Sequence, residues 1–245
     1  TPDEYQSMME ENRGEFSGIG AHLDSTSTQV IVLETIEGSP ARKAGMKGGD
    51  HIIKVNGKSL QGVSVDGAVK LIRGPRGTAV TLTVERKGVP KPLTFRLIRD
   101  MVEFENVKTE VLPGNIGYIS LAQFNDQSDR RFAAGLAKLQ ATKVRALIVD
   151  LRWNPGGLLE QAVAIGSHFV REGPIVWIKE RGGRPVSMDA DRDARAVGNI
   201  PVVILVNRFS ASASEVVSGA VKDKKAGTLV GTRTWGKGLV QTINP

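Results

Sequence analysis

Two short runs, Ala146-Leu147-Ile148-Val149 and Val202 to Val206, limit the folds open to this chain more than any other feature. Each is apolar without alternation, the pattern of a strand covered on both faces, and such strands belong to parallel sheets. Each then runs into a loop and a segment with helical spacing. The first leads through Asp150-Leu151-Arg152-Trp153-Asn154-Pro155-Gly156-Gly157 to a helix over 158–170. Leu158, Ala162, Ile165 and Phe169 form one stripe of it, with Leu159, Val163, Gly166 and Val170 alongside and His168 within. The second leads through Asn207-Arg208-Phe209-Ser210-Ala211-Ser212-Ala213-Ser214-Glu215 to a helix ending near Lys222. Further strands are expected at 175–178 and 228–230, and 181–198 reads as a charged surface loop. Upstream, Val107 to Leu112 and Ile116 to Leu121 flank Pro113-Gly114-Asn115 as a hairpin, and 126–140 is a helix with Phe132, Leu136 and Leu139 on one face. Residues 101–245 therefore read as an α/β unit with a mainly parallel sheet.

Residues 15–100 have a different texture, and residues 1–14 read as a polar, helical lead-in. Gly18-Ile19-Gly20-Ala21 opens a strand, Ser39-Pro40 starts a short helix that Gly45 stops, and Asn56-Gly57 is a hairpin turn. Val65, Val69 and Ile72 give a short amphipathic helix, and 79–84 and 93–98 alternate as paired strands. This order, with the run from Gly45 to Gly57, resembles a PDZ domain of the bacterial kind. The resemblance implies that the N–H groups of Gly18, Ile19, Gly20 and Ala21 cradle a peptide's terminal carboxylate. The peptide would add as a strand beside His22 and Leu23, facing Val65 and Val69.

Composition excludes several classes. With no cysteine, the chain has no disulfide, thiol nucleophile or thiolate-bound metal. Only His22, His51 and His168 are present, without a His-Glu-x-x-His pair, so no metal site is expected. The net charge of +7 is scattered rather than gathered into a basic stripe, which argues against a nucleic-acid partner. No apolar run approaches the about 18 residues of a membrane helix. Thr1 opens directly into polar sequence, so no signal peptide is expected.

In parallel sheets, sites form where the carboxyl ends of strands meet helix N-termini. Three loops qualify here: 152–157, 207–212 and 231–238. The second carries three alternate serines; the third carries Lys237 between Gly236 and Gly238. A serine needs an adjacent base. A lysine serves as that base only when its surroundings bring its pKa from about 10.4 to roughly 7–8, and Trp235, Leu239 and Val240 are expected to supply an apolar wall. Two humbler readings stand beside this one. Ser212-x-x-Glu215 fits a helix capping box, and Asp150 with Arg152 fits a structural ion pair. Spacing alone leaves Ser210, Ser212 and Ser214 as rival nucleophiles. Gly231 to Lys237 matches a phosphate-binding loop except at its last position, where Gly238 replaces the Mg²⁺-ligating hydroxyl.

Asp150 to Leu158, Ser210 to Glu215 and Trp235-Gly236-Lys237-Gly238-x-x-Gln241, in this order, resemble the carboxyl-terminal processing peptidases, or tail-specific proteases. The resemblance covers nearly the whole chain. It implies a crotonase/Clp-like core in which parallel sheet spirals, Ser212 as nucleophile, Lys237 as general base, and Gln241 as the residue that positions the lysine. The oxyanion hole would comprise the Ala213 N–H and one from Gly156-Gly157. It further implies a serine endopeptidase that engages unstructured protein C-termini, needs no cofactor and works outside the cytoplasm. Peripheral membrane association and homo-oligomer formation stay open. Sequence preceding Thr1 and following Pro245 is expected by the same comparison, so the peptidase part is expected to be incomplete. A PDZ-bearing adaptor without activity is the alternative; a crotonase-like thioester enzyme has no use for a PDZ unit or a Ser/Lys pair.

Overall fold

The computed structural model describes residues 9, 12–26, 29–103, 105–180, 182–194 and 197–239. The expected lead-in helix around 5–11 falls mostly outside them. The chain divides into two compact units, one of residues 1–10 and 15–104, the other of residues 11–14 and 105–245.

The first unit runs β1 (Glu15–Gly18), β2 (Ala21–Thr26), β3 (Gln29–Thr35), α1 (Pro40–Lys43), β4 (His51–Val55), β5 (Lys58–Ser59), α2 (Val65–Ile72), β6 (Ala79–Glu85), β7 (Leu93–Ile98) and β8 (Asp100–Glu103). An antiparallel sheet in the order β2-β3-β4-β6-β7 forms its body, and β1 pairs with β8 apart from it. That pairing carries 101–103 into this unit, beyond the expected limit at residue 100. Alternation in β6 buries Val80, Leu82 and Val84 completely, against Val30, Val32 and Ile52. Both helices start on serine: Ser39 Oγ accepts the Arg42 N–H and Ser64 Oγ the Gly67 N–H. Asn56 and Gly57 take φ +48° and +79°, the double left-handed turn that Asn-Gly favours. The Asp50 side chain is wholly buried, held by Arg86 at 2.7 and 2.8 Å and by the Lys47 N–H at 2.9 Å. Burial raises its pKa, but Arg86 and Lys47 together outweigh burial and hold the carboxyl below the usual range.

The second unit continues with β9 (Val107–Leu112), β10 (Ile116–Leu121), α3 (Ser128–Ala141), β11 (Ala146–Asp150), α4 (Leu159–Ser167), β12 (Pro174–Ile178), β13 (Val186–Asp189), β14 (Val202–Val206), α5 (Ala213–Asp223) and β15 (Thr228–Gly231). The sheet order is β15-β14-β11-β10-β9, parallel throughout except for the β9–β10 hairpin. It is thus an α/β core with a mainly parallel sheet.

Three expectations need correction. Residues 175–178 lie in a separate two-stranded sheet, because β13, within the segment read as a loop, pairs with β12 antiparallel. The helix over 158–170 ends at Ser167, and His168 is its C-cap. Phe169 and Val170 stay buried while the chain turns, so the apolar stripe outruns the helix. Strands β11 and β14 are fully buried on one face only. Leu147, Val149, Ile204 and Val206 lie in one cluster with Phe132, Leu136, Ala162, Ile165, Val217 and Val221 from α3, α4 and α5. The helices cover that face; Ile148, Val203 and Leu205, on the other, are half-buried.

Candidate active site

Because β11, β14 and β15 are parallel neighbours, the loops that leave their carboxyl ends lie side by side. Two asparagines bind the first loop to the second. Asn154, wholly buried, donates from Nδ2 to the Leu121 carbonyl (2.8 Å) and accepts the Gly156 N–H at Oδ1 (2.9 Å). Its own carbonyl accepts the Ala211 N–H (3.1 Å) and the Ser214 hydroxyl (3.0 Å). Asn207 Oδ1 accepts the Trp153 N–H (3.1 Å) and the Phe209 N–H (3.0 Å), and the Trp153 and Phe209 rings stack with centroids 4.3 Å apart.

The three serines separate by environment. Ser210 is fully buried: its Oγ accepts the Asn207 N–H (2.9 Å) and donates to the Leu151 carbonyl (2.8 Å). Ser214 is fully buried too, its hydroxyl engaged by Asn154. Ser212 is half-exposed and caps α5 with φ +53° and ψ −114°, a conformation that strains any residue with a Cβ. Such a turn from strand to helix lifts a serine Oγ out of the chain's path, as in a nucleophile elbow. The capping-box arrangement is also present, with Glu215 Oε2 accepting the Ser212 N–H at 2.9 Å and the Ser212 side chain turned toward the Glu215 N–H. That N–H donates at 2.8 Å to the Ser212 carbonyl oxygen, and the hydroxyl itself makes no cap hydrogen bond.

Glu215 does more than cap. Its Oε1 accepts the Thr234 hydroxyl (2.7 Å) and the Gly236 N–H (2.6 Å), and its Oε2 also accepts the Lys237 N–H (2.9 Å). Burial raises its pKa, but hydrogen bonds from Thr234, Gly236, Lys237 and Ser212 outweigh burial and hold the carboxyl below its ordinary range. These contacts set the lysine loop beside the serine, helped by the Trp235 N–H donating to the Ser210 carbonyl (3.0 Å). The same N–H groups are those a phosphate would need, and a carboxylate already holds them, which removes the phosphate-loop reading. Lys237 is exposed, as are Trp235 at 68% and Leu239 at 74%, so the described residues do not build the expected apolar wall around it. Val240 and Gln241 lie outside the described residues.

Gly156 and Gly157 have φ +103° and +139°. A Cβ on Gly156 would lie 2.8 Å from Ser212 Cβ and 3.0 Å from the Ala213 nitrogen, so this turn lies directly against the serine. The Gly156 N–H is taken up by Asn154. The N–H groups of Gly157 and Ala213 have no acceptor among the described residues, and Ala213 begins the 11-residue helix α5, whose N-terminus favours negative charge.

Asp150 and Arg152 form a two-pronged ion pair (2.7 Å at the shortest), joined by the Tyr118 hydroxyl at 2.8 Å. Burial raises the Asp150 pKa, but Arg152 and Tyr118 outweigh burial and hold it low. His168 is buried, hydrogen-bonded to Asp129 (2.9 Å) and stacked on Phe132. It is a packing residue.

In the first unit, the Ile19 carbonyl accepts the Ala41 N–H (2.8 Å), and the Gly20 carbonyl accepts the Ile36 N–H (2.9 Å) and the Ser39 hydroxyl (3.0 Å). The N–H groups of Ile19 and Gly20 have no acceptor among the described residues. Position 20 takes only glycine, since its φ is +71° and a Cβ there would lie 2.3 Å from Ser39 Cβ. Gly18 is buried at the end of β1 and Ala21 opens β2. Strand β2 is the edge of its sheet and packs beside α2, with His22, Leu23, Val65 and Val69 half-buried along the two. An edge strand next to a helix is the geometry a peptide needs to add as a further strand.

A model described as peptidase family S41 matches residues 115–245, and one described as PDZ domain matches residues 6–85. A carboxy-terminal-processing protease of Bartonella bacilliformis is 38% identical over 242 residues, covering 97% of this chain and 56% of that protein. Carboxy-terminal processing protease CtpA of Bacillus subtilis is 38% identical over 228 residues, 93% of this chain and 48% of that protein. Among solved structures, a photosystem II D1 C-terminal processing protease aligns with TM-score 0.56 and 32% identity, over 99% of this chain and 67% of that one. The chain spans about half the length of the curated relatives it matches.

Proposed function

Because the chain belongs to peptidase family S41 and carries a PDZ domain ahead of its peptidase region, we propose that it is a serine endopeptidase working with a Ser212/Lys237 dyad. The observation that carries this reading is the strained, half-exposed Ser212, beside two N–H donors and tied through Glu215 to the backbone of Lys237.

In this mechanism Lys237, in its neutral amine form, takes the proton from Ser212 Oγ at Nζ as Oγ bonds to the scissile carbonyl carbon. The oxyanion that forms is held by the N–H groups of Gly157 and Ala213; such a donor contributes about 10²–10³ in rate. The C–N bond then breaks, and Nζ returns the proton to the leaving amine. Water, deprotonated by the same lysine, then bonds to the acyl carbon; the C–Oγ bond breaks, and Nζ returns the proton to Ser212 Oγ. Gln241 would hold Nζ in place.

The substrates are unstructured C-terminal segments, whose terminal carboxylate the free N–H groups of Ile19 and Gly20, with Gly18 and Ala21 alongside, would receive, in an extracytoplasmic setting. Hydrolysis of a tailed, denatured protein by the wild type, Ser212→Ala and Lys237→Ala chains tests the reading. Both variants should lose turnover, and undiminished hydrolysis by either would sink the dyad. Tight peptide binding without turnover by the wild type would instead make the chain an adaptor.

A further inference from the structure

The geometry points to Glu215 as the positioning residue that sets Lys237 against Ser212, by clamping the backbone of the lysine loop to the backbone of the nucleophile. This rests on the reading of Ser212 and Lys237 as the reacting pair. A helix cap would account only for the bond from the Ser212 N–H. The other three donors, Thr234 Oγ1, Gly236 N–H and Lys237 N–H, lie 19–22 residues further along the chain and have no part in capping α5.

Each carboxylate oxygen accepts two hydrogen bonds, so all four lone-pair sites are filled, and none of the donors is a cation. Residues 233–239 have no regular structure of their own. Apart from the Trp235 N–H on Ser210, the hydrogen bonds that residues 234–239 donate among the described residues all end on this one carboxylate. Glu215 stands on the first turn of α5, which is fixed by buried Ser214, Val217 and Val221. It therefore passes the rigidity of that helix to a lysine whose loop has little other support. Both ends of the clamp are backbone groups of the reacting residues, so their side chains stay free to react.

With all four acceptor sites filled, glutamine should not substitute. Glu215→Gln keeps one oxygen and turns an NH₂ group either toward the Ser212 and Lys237 N–H groups or toward the Thr234 hydroxyl and the Gly236 N–H, so at least one N–H donor loses its acceptor. A double-mutant cycle on the full chain tests the proposal, with wild type, Glu215→Gln, Lys237→Ala and the double variant. The readouts are the rate at which a small organophosphonate modifies Ser212, and kcat and KM for a tailed protein. We expect Glu215→Gln to slow phosphonylation and kcat about 10²-fold, the cost of misplacing a catalytic group by about 1 Å, with KM nearly unchanged. In the Lys237→Ala background the same change should have no further effect, because Glu215 acts through the lysine. Thr234→Val, which leaves the cap intact, should slow both rates several-fold with the same dependence on Lys237. A wild-type rate for Glu215→Gln, or a loss that persists undiminished without Lys237, would overturn the proposal and leave a merely structural residue. A wild-type rate for Lys237→Ala alone would overturn the dyad, and the clamp with it.

Discussion

Replacing Asn154 by alanine should loosen the first loop where it lies against the nucleophile. The side chain is completely buried, and its two hydrogen bonds go to the Leu121 carbonyl and the Gly156 N–H, whose residues are themselves buried. Alanine leaves both groups without partners, and each such orphan costs about 1–3 kcal/mol. The expected loss is therefore about 2–6 kcal/mol. Tryptophan fluorescence during urea unfolding measures it cleanly, because Trp153, Trp177 and Trp235 all lie in the peptidase unit. Turnover should fall by about 10²-fold or more even where the protein stays folded, since the Gly156 turn lies against Ser212 and a shift of about 1 Å suffices for such a loss. Asn154→Asp is the informative companion. It keeps the Gly156 bond but sets a carboxylate oxygen against the Leu121 carbonyl. Its deficit should shrink as the pH falls and the carboxyl gains a proton to donate. An Asn154→Ala chain with an unchanged urea midpoint and near wild-type turnover would refute this account of how the first loop is held.

Other expectations follow from single residues. Ser212→Gly should abolish hydrolysis yet raise stability by about 1 kcal/mol, the strain relieved at positive φ less the added entropy of glycine in the unfolded chain; the urea midpoint shows this. Ser210→Ala should cost about 1–3 kcal/mol through the orphaned Asn207 N–H, since the Leu151 carbonyl keeps the Asn154 N–H, while the reacting groups stay in place. Asp150, its folded pKa held below the ordinary value of 3.8, stabilises fully above that value, and the contribution is lost as pH falls through the folded pKa. Asp150→Asn should remove that part of the acid-induced fall in the urea midpoint. Gly20→Ala, with its Cβ 2.3 Å from Ser39 Cβ, should abolish binding of a C-terminal peptide to the first unit, as calorimetry would show.

Much of the fold was legible because its signals are local. Apolar runs marked β11 and β14, and Asn-Gly and Ser-Pro marked a turn and a helix start. What was not legible depends on partners distant in sequence. Strand β13 exists because β12 pairs with it, not because Val186-Ser187-Met188-Asp189 reads as a strand. The stripe through Phe169 and Val170 kept helical spacing past the end of α4, since burial and helix geometry are separate demands. At the site, three serines at alternate positions were equivalent in sequence, and the carbonyls of Leu151 and Asn154, about 60 residues away, distinguish them. Asn154 was missed although its signal was present: Asn-Pro-Gly invites the asparagine side chain to accept the N–H two residues on. Glu215 was read only as a cap, because nothing local shows that residues 234–237 return to it.

The central claim, that Ser212 is the nucleophile and Lys237 its base, is tested most directly by labelling the full chain with a serine-reactive phosphonate and locating the adduct by mass spectrometry. The account predicts one adduct, on Ser212, with Ser210 and Ser214 unmodified and labelling slowed about 10²-fold or more in Lys237→Ala. An adduct on either buried serine, or undiminished labelling of Ser212 without Lys237, would contradict it.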